Sequence, residues 1–233
     1  MRLLITGANG GLGSWLVRVA LEANHQVFAT VRNKKAMNSE LICHQQEYGD
    51  LLTIIEMDVA SNKSVEQMAS YLNEQQVDLD GIVNVAGIMI EREKVLEELD
   101  LTAMTSSYNI NTIGPMRVIK ALLPNIRRGR SPVIINISSE AGTIINAFPT
   151  NYPYSMSKTA LNMFSERLRE YLRPDDIWVY AVHPGWMRTN MGGDDAPANP
   201  RDIAVGILSI LERKTSIYSK IAFIDSTGRP MPL

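Results

Sequence analysis

Short apolar runs alternate along the chain with longer segments in which apolar residues recur every three or four positions. The short runs are typical of buried strands, and the longer segments are typical of amphipathic helices. Strands are predicted at 3–6, 26–31, 52–57, 81–85, 132–137, 178–182 and 220–224. Helices are predicted at 12–23, 34–47, 62–75, 103–124, 153–172 and 200–213. The alternation predicts an α/β fold with a doubly wound sheet of seven parallel strands, and the length predicts a single domain over 1–233.

Composition narrows the class of protein. Apolar residues make up 45% of the chain and charged residues 21%, which is typical of a globular domain with a large core. The formal net charge of −2 provides no basic field, so we expect no nucleic-acid partner. Cys43 is the only cysteine, which excludes an internal disulfide and indicates a reducing compartment.

The termini and the histidines give three further expectations. Met1 leads directly into a strand without a signal-peptide pattern, and no apolar run approaches the roughly 18 residues of a membrane span, so we expect a cytoplasmic protein without a membrane partner. His25, His44 and His183 form no pair at metal-ligand spacing. We therefore expect no catalytic metal.

A glycine-rich segment, Thr6 to Gly13, follows the first predicted strand and opens the first predicted helix. Glycines at this position permit a tight turn and a close approach to a pyrophosphate, which the N–H groups of the helix then bind. The alternative is a tight turn without a ligand, and the position after an N-terminal strand favours the dinucleotide. The expected contacts are Gly7, Asn9, Gly10, Gly11, Leu12 and Gly13.

The second strand ends without the carboxylate that usually binds a free ribose 2′-hydroxyl, and Val31 is followed there by Arg32. A guanidinium attracts a 2′-phosphate, so we predict NADP(H) over NAD(H). The alternative is that Arg32, Lys34 and Lys35 form a solvated surface.

The next two strand ends carry weaker signals. Asp58 and Val59 follow the third strand, and Asn84, Ala86 and Gly87 close the fourth. Short polar side chains beside small residues suit an adenine edge and a ribose. Alternatively, Asp58 caps the following helix and Asn84 braces neighbouring loops.

Tyr154 and Lys158 stand four residues apart, on one face of a predicted helix. A neighbouring ammonium favours the phenolate and lowers the pKa of tyrosine, which makes the pair a usable acid and base. Ser138 and Ser139 end the preceding strand, where a hydroxyl can polarise a substrate carbonyl; turn formation is the alternative.

Two other segments are unusual. The run from Asn109 to Pro115 places amides, glycine and proline inside a helical pattern, and such a locally costly run often marks a functional site. The loop 189–200 contains Gly192, Gly193, Pro197 and Pro200 and follows a strand end. It is either a substrate lid or an ordinary surface loop.

These motifs together resemble the short-chain dehydrogenase/reductase family. The matching elements, in order, are the glycine pattern at 6–13, Asn-x-Ala-Gly at 84–87, Asn111, Ser139, Tyr154-x-x-x-Lys158 and Pro184-Gly185. The segment His183 to Thr189 and the ending from Asp225 to Pro230 resemble the sniffer-type carbonyl reductase and C-factor branch. Val85 replaces an asparagine common in the family, and the stretch from Ser139 to Tyr154 is slightly long.

The resemblance implies a Rossmann fold and a role for each matching residue. Tyr154 exchanges the proton, Lys158 lowers its pKa and holds the nicotinamide ribose, Ser139 is the catalytic serine, and Asn111 positions a water in a relay to Lys158. The nicotinamide contacts are expected at Pro184, Gly185, Trp186, Met187 and Thr189. A homodimer or homotetramer is implied as well.

The favoured function is reduction of a small carbonyl compound by NADPH, with the reverse oxidation chemically allowed. Ile144, Ile145, Phe148 and Tyr152 are expected in the wall of the substrate pocket. One alternative is a dinucleotide-binding signalling or regulatory protein of the C-factor type with little turnover. Another is an epimerase or dehydratase, which the short region after Thr189 disfavours.

Overall fold

Seven strands form one parallel sheet in the computed structural model, which describes residues 1–233. The strands are β1 Arg2–Ile5, β2 Gln26–Val31, β3 Leu52–Glu56, β4 Gly81–Asn84, β5 Val133–Ile137, β6 Trp178–His183 and β7 Phe223–Asp225. The helices are α1 Gly11–Glu22, α2 Ser39–Tyr48, α3 Asn62–Glu74, α4 Thr102–Asn111, α5 Ile113–Arg127, α6 Tyr152–Leu172 and α7 Pro200–Leu211. The predicted α/β fold with seven parallel strands is confirmed.

Both faces of the sheet are covered by helices. Successive residues of a strand point to opposite faces, and in β1 the neighbours Leu3, Leu4 and Ile5 are all buried. The face that includes Leu3 packs against α1, α7 and Leu41 of α2, whereas the face that includes Leu4 packs against α3, α5 and α6. Burial on both sides explains why the strands read as continuous apolar runs.

The strand order is β3-β2-β1-β4-β5-β6-β7, so the direction of strand addition reverses between β1 and β4. In an open parallel sheet, the carboxyl ends on either side of such a reversal leave a crevice in which ligands bind. The glycine segment after β1 and the segment after β4 therefore face each other across this crevice.

The helix predicted at 103–124 is two helices, α4 and α5, and the prediction of one helix is wrong. The break falls at Thr112, whose φ and ψ are −113° and −59°. In a continuous helix the carbonyl of Asn111 would accept from the amide of residue 115, but that residue is proline and has no N–H. The Thr112 hydroxyl instead donates to the carbonyl of Ser157 at 2.8 Å and fixes the break against α6.

The last strand is shorter than the predicted 220–224, because two side chains of α6 bond to the backbone that would extend the ladder. Arg169 donates to the carbonyl of Lys220 at 2.6 Å, and Glu166 accepts from the N–H of Ala222. These are the groups that would otherwise pair with β6 near Val179. Pairing between β6 and β7 consequently begins at Ala181 and Phe223.

The helix predicted at 34–47 begins later, at Ser39, after a short turn over Lys34–Ala36. The Asn38 side chain caps α2 by accepting from the N–H of Leu41 at 2.8 Å. None of the helices in the structure is both long enough and apolar enough to cross a membrane.

Candidate active site

A cleft of about 520 Å³ runs along the carboxyl edge of the sheet. Its size is within the range of pockets that bind cofactors and other small molecules. The expected contact residues that line it are Gly7, Asn9, Gly10, Gly11, Leu12, Arg32, Asp58, Val59, Ala86, Gly87, Tyr154, Lys158, Pro184, Met187 and Thr189. Four expected contacts, Gly13, Asn84, Gly185 and Trp186, do not line it, and neither do Asn111 and Ser139.

The glycine segment is packed so tightly that side chains could not replace its hydrogens. A Cβ on Gly13 would lie 2.2 Å from the carbonyl oxygen of Gly7, and a Cβ on Gly7 would lie 2.9 Å from the backbone of Ala86. Gly7 also has φ +67°, a conformation that favours glycine. Gly13 therefore acts by bringing α1 close to β1, and Gly7 by bringing the loop close to the end of β4.

The start of α1 fits a bound pyrophosphate. Gly10 precedes the helix without a side-chain cap, the first turn carries no acidic residue, and the N–H groups of Gly11 and Leu12 have no acceptor in the chain. A Cβ added to Gly10 would meet nothing within 4 Å, so the chain is open at the residue that precedes these donors. Free N–H groups at a positive helix end are suited to an anion.

Asn9 is held away from this anion site. Its side chain donates to the carbonyl of Ala36 at 2.9 Å and accepts from the N–H of Asn38 at 2.7 Å. The side chain of Asn38 donates to the carbonyl of Asn9 in return, at 3.0 Å. Asn9 thus joins the glycine segment to the segment after β2, which carries Arg32.

Arg32 is exposed, lines the cleft and makes no hydrogen bond within the chain. The nearby carboxylates are engaged elsewhere: Glu56 accepts from the N–H of Lys34 at 3.0 Å, and Glu40 accepts from the Ser14 hydroxyl at 3.0 Å. Neither carboxylate lines the cleft, and neither do Lys34 and Lys35. This end of the cleft therefore presents one free guanidinium.

The residues after β3 and β4 have different positions. Asp58 lines the cleft and accepts from the N–H of Ala60 at 2.9 Å, whereas the cap of α3 is Ser61. Asn84 is buried and donates to Asn136 at 2.9 Å, away from the cleft. The alternative that Asp58 caps the helix is therefore wrong, and Asn84 braces strand β5 rather than a neighbouring loop.

Lys158 is almost fully buried, with 4% of its surface exposed. Its ammonium donates to the carbonyl of Ile137 at 2.6 Å and lies 5.4 Å from the centroid of the Tyr154 ring. Burial lowers the pKa of Lys158 from 10.5 to about 8, because a charged group is costly where water is excluded. The ammonium is therefore still the main form at neutral pH.

Tyr154 lines the same end of the cleft, and Ser139 lies beside it. Burial raises the pKa of the Tyr154 phenol above its ordinary value of 10, and the hydrogen bond with Ser139 acts in the opposite direction. The sequence suggested a pKa lowered by Lys158, but burial is the dominant influence on this phenol, and the lysine ammonium is bonded to the carbonyl of Ile137. Tyr154 is accordingly a protonated phenol at neutral pH.

Asn111 ends α4 and fixes the segment that follows β4. Its side chain accepts from the N–H of Ile88 at 2.8 Å and donates to the carbonyl of Ile88 at 2.9 Å and to the Ser157 hydroxyl at 3.0 Å. A Cβ on Gly87 would lie 3.2 Å from the Asn111 Oδ1 and 3.8 Å from the Lys158 Nζ. Asn111 and Lys158 thus meet at Gly87, beside the cleft.

The segment after β6 closes the cleft on one side. Thr189 lies close to Gly11: a Cβ added to Gly11 would be 3.5 Å from the Thr189 methyl carbon. The loop is bonded internally: the Arg188 side chain donates to the carbonyls of Ala196 and Pro197 at 3.2 and 2.9 Å, and Trp186 donates to the carbonyl of Gly192 at 2.7 Å. A lid role for 189–200 stays a prediction.

Several cleft residues were not predicted. They are Thr30, Val31, Asn33, Ala36, Met57, Val85, Ile88, Ile110, Ile137, Ser138, Asn190 and Met191. Thr30 and Val31 end a predicted strand, and that position was a usable signal. Ile88 is held by two hydrogen bonds between its backbone and the side chain of Asn111. Because Asn111 is distant in sequence, no local sequence pattern predicts this contact.

A family model described as short chain dehydrogenase matches residues 2–199 of the chain. Among curated proteins, the C-signal of Myxococcus xanthus is 33% identical over 155 residues, which are 66% of this chain and 92% of that protein. Human retinol dehydrogenase 8 is 34% identical over 194 residues, 82% of this chain. The match covers 60% of the retinol dehydrogenase, so this chain spans less than two thirds of that relative.

Solved structures with the same fold include two carbonyl reductases. The carbonyl reductase Sniffer of D. melanogaster superposes with a TM-score of 0.88 at 28% identity, covering 100% of this chain and 99% of that one. The NADPH-bound carbonyl reductase from chicken fatty liver has a TM-score of 0.85 at 28% identity, covering 100% and 94%. The similarity to both therefore extends over the whole chain.

Proposed function

The chain belongs to the short-chain dehydrogenase family, and on that premise we propose that it reduces small carbonyl compounds with NADPH, with Tyr154 as proton donor. The observation that carries the proposal is that Tyr154 and Lys158 line the same end of the dinucleotide-sized cleft, with Ser139 beside Tyr154. A nicotinamide dinucleotide supplies a hydride when it is bound. The side chains of this protein would donate the proton and stabilise the charge that develops on the substrate oxygen.

The proton is held at the Tyr154 oxygen, because burial keeps the phenol protonated at neutral pH. Ser139 offers its hydroxyl proton to the substrate carbonyl, since its oxygen already accepts from the N–H of Ala141 at 3.1 Å. As negative charge develops on the substrate oxygen, the Ser139 hydroxyl stabilises it and Tyr154 transfers its proton. A protonated Tyr154 favours the reducing direction.

Lys158 stabilises the phenolate that remains after this transfer. Its ammonium is predominantly charged at neutral pH, because its pKa is about 8, and the buried setting strengthens its attraction to a new negative charge. Asn111 extends this arrangement: its backbone carbonyl has no helical partner because residue 115 is proline. We assign that carbonyl the binding of a water that returns a proton towards Lys158.

The preference for NADPH rests on Arg32, the one cation at the β2 end of the cleft. A guanidinium forms strong charge-assisted bonds with a phosphate, whereas a ribose hydroxyl would find no carboxylate partner there. The 28% identical carbonyl reductase with bound NADPH agrees with this preference. We propose the cleft contacts in the segment after β6, which are Pro184, Met187 and Thr189, as the nicotinamide side of the site.

A second candidate function is a signalling or regulatory role in which a bound dinucleotide changes an interaction surface. The likeness to C-signal favours it. The two candidates are separated by titrating the protein with NADPH and NADH and then measuring NADPH consumption with aldehydes, ketones and quinones. Tighter binding of NADPH with turnover supports the reductase, and tight binding without turnover on any carbonyl supports the regulatory role.

We also propose that copies of the chain associate through α5 and α6, whose surface residues Met116, Met163 and Tyr171 are exposed by 41%, 64% and 60%. Large exposed apolar side chains on long helices are suited to a homodimer or homotetramer. The mass in solution tests this, and a monomer at micromolar concentration would contradict it.

A further inference from the structure

We propose that His183 is a positioning residue for Ser139: its neutral imidazole holds the turn that carries the serine, and protonation of the imidazole releases that turn. The inference rests on the proposed role of Ser139. His183 is the last residue of β6, and its side chain is only 14% exposed.

His183 lies where the ends of three neighbouring strands, β5, β6 and β7, come together. His183 pairs in register with Asp225 of β7, and the neighbouring Val182 accepts from the N–H of Ser138 at the end of β5. Nδ1 of His183 accepts from the N–H of Glu140 at 3.1 Å. Because that amide is a donor, Nδ1 carries no proton, and the neutral ring has its proton on Nε2.

The turn that His183 holds is Glu140–Gly142, which directly follows Ser139. Within it, the N–H of Ala141 donates to the Ser139 hydroxyl oxygen at 3.1 Å, and the N–H of Gly142 donates to the Ser139 carbonyl at 3.0 Å. The N–H groups of Ala141 and Gly142 thus bond to the adjacent Ser139, and the N–H of Glu140 is the one amide of the turn that bonds to a distant residue, His183. The far end of the turn is held by Thr159, which donates to the carbonyl of Gly142 at 3.0 Å.

The charged groups that face the imidazole make it sensitive to pH. Glu140 Oε2 lies 3.9 Å from Nε2, and Asp225 approaches from β7 while also interacting with Arg229. The two carboxylates raise the pKa of His183, but burial lowers it more, so the ring is neutral at neutral pH. In acid, Nδ1 gains a proton and becomes a donor. It can then no longer accept from the N–H of Glu140, and the hydrogen bond between them is lost.

Loss of this bond frees the backbone beside Ser139. The interaction between the Ser139 hydroxyl and Tyr154 depends on the position of this turn. A displacement of about 1 Å in a catalytic group can lower the rate on the order of a hundredfold. We expect His183→Leu, which has no acceptor, to lower kcat ten- to a hundredfold at neutral pH. The Kd for NADPH should stay within about twofold, because His183 does not line the cleft.

His183→Asn provides the rescue. The Asn Oδ1 occupies the place of Nδ1, accepts from the N–H of Glu140 and does not titrate. This variant should keep kcat within about threefold of the wild type at neutral pH and lose the fall in kcat on the acid side that the wild type shows. His44→Asn, at a histidine of α2 remote from this turn, should retain the acid fall.

Two measurements keep failure of this inference separate from failure of the proposed reaction. The amide proton shifts of Glu140 and Ala141 should titrate with the His183 ring in NMR spectra, whether or not the protein reduces carbonyls. Amide shifts that change over the same pH range as the His183 ring support the inference, and amide shifts that stay constant while the His183 ring titrates overturn it. A His183→Leu variant with wild-type kcat and pH profile would overturn it as well.

Discussion

Single side chains decide the chemistry at each end of the cleft. Arg32 and Lys158 are the two cations that line it, one after β2 and the other in α6. Arg32 is exposed and has no partner in the chain, whereas Lys158 is buried and bonded to Ile137. The first is suited to attract an anionic ligand, and the second is suited to stabilise charge that appears during a reaction.

Arg32 gives the first prediction. Replacing it with serine should lower kcat/KM for NADPH by about ten- to a hundredfold, since a hydrogen bond to a charged group contributes about 1.5–3 kcal/mol. The value for NADH should change little. Lys35→Ser is the matched control, because Lys35 is a nearby exposed cation that does not line the cleft. Equal losses with both cofactors would contradict the assignment.

Lys158 predicts how stability varies with pH. Its pKa is about 8 in the folded chain against 10.5 for a free lysine, so the folded chain binds fewer protons between these values. The burial penalty is thus complete below pH 8 and disappears as pH rises through the window. The free energy of unfolding of Lys158→Met, relative to wild type, should fall by about 2–3 kcal/mol from pH 7 to 10.

Urea unfolding of both proteins at the two pH values measures this difference. Loss of the hydrogen bond to Ile137 changes the free energy of unfolding at both pH values. The difference between pH 7 and pH 10 therefore reports the cost of the buried charge alone. A difference that is the same at pH 7 and pH 10 would show that Lys158 is not desolvated in the folded chain.

At the scale of elements, the loops that follow β4, β5 and β6 form an apolar rim on the carboxyl side of the sheet. Ile144, Ile145 and Phe148 in the β5–α6 loop are 76%, 62% and 58% exposed, and Trp186 in the β6–α7 loop is 52% exposed. The first two loops meet where the Asn151 amide approaches the Met89 sulfur at 3.7 Å. An exposed apolar rim beside a catalytic cleft is suited to the apolar body of a substrate.

Phe148→Ser should therefore discriminate between substrates. We expect its kcat/KM for an aryl ketone to fall about tenfold, since burying a phenylalanine side chain contributes about 1.5–3 kcal/mol, and its kcat/KM for acetone to change little. Tyr71→Ser, which removes a 41% exposed aromatic side chain from α3, outside this rim and outside the proposed interface helices α5 and α6, is the control. Parallel losses for both ketones would argue against a rim that contacts substrate.

The elements also show what the sequence could not reveal. The alternation of apolar runs located all seven strands, because each is buried on both faces. The break between α4 and α5 had a visible cause in Pro115, although its position at Thr112 depends on a bond to α6. The late start of β7 depends on Glu166 and Arg169, whose contacts with 220–222 form only when α6 packs on the sheet edge.

The whole molecule brings together residues that are far apart in the chain. The strand reversal between β1 and β4 places the glycine segment beside Ala86 and Gly87, and α6 returns Tyr154 and Lys158 to the same edge. The sequence predicted these meetings through the order of its motifs. It did not predict that Asn111 fixes Ile88, that Asn84 turns away to Asn136, or that burial would raise the pKa of Tyr154.

The central claim is hydride transfer to a carbonyl carbon with Tyr154 as proton donor, and a single-turnover experiment with NADPH that carries deuterium in both hydrogen positions of the reactive nicotinamide carbon tests it most directly. Mass spectrometry of the alcohol formed from the best carbonyl substrate should show one deuterium per molecule with the wild type. Tyr154→Phe should slow this step by about 10²- to 10⁴-fold while its Kd for NADPH is retained. Transfer at the wild-type rate by Tyr154→Phe, or no transfer from bound NADPH by the wild type, would contradict the account.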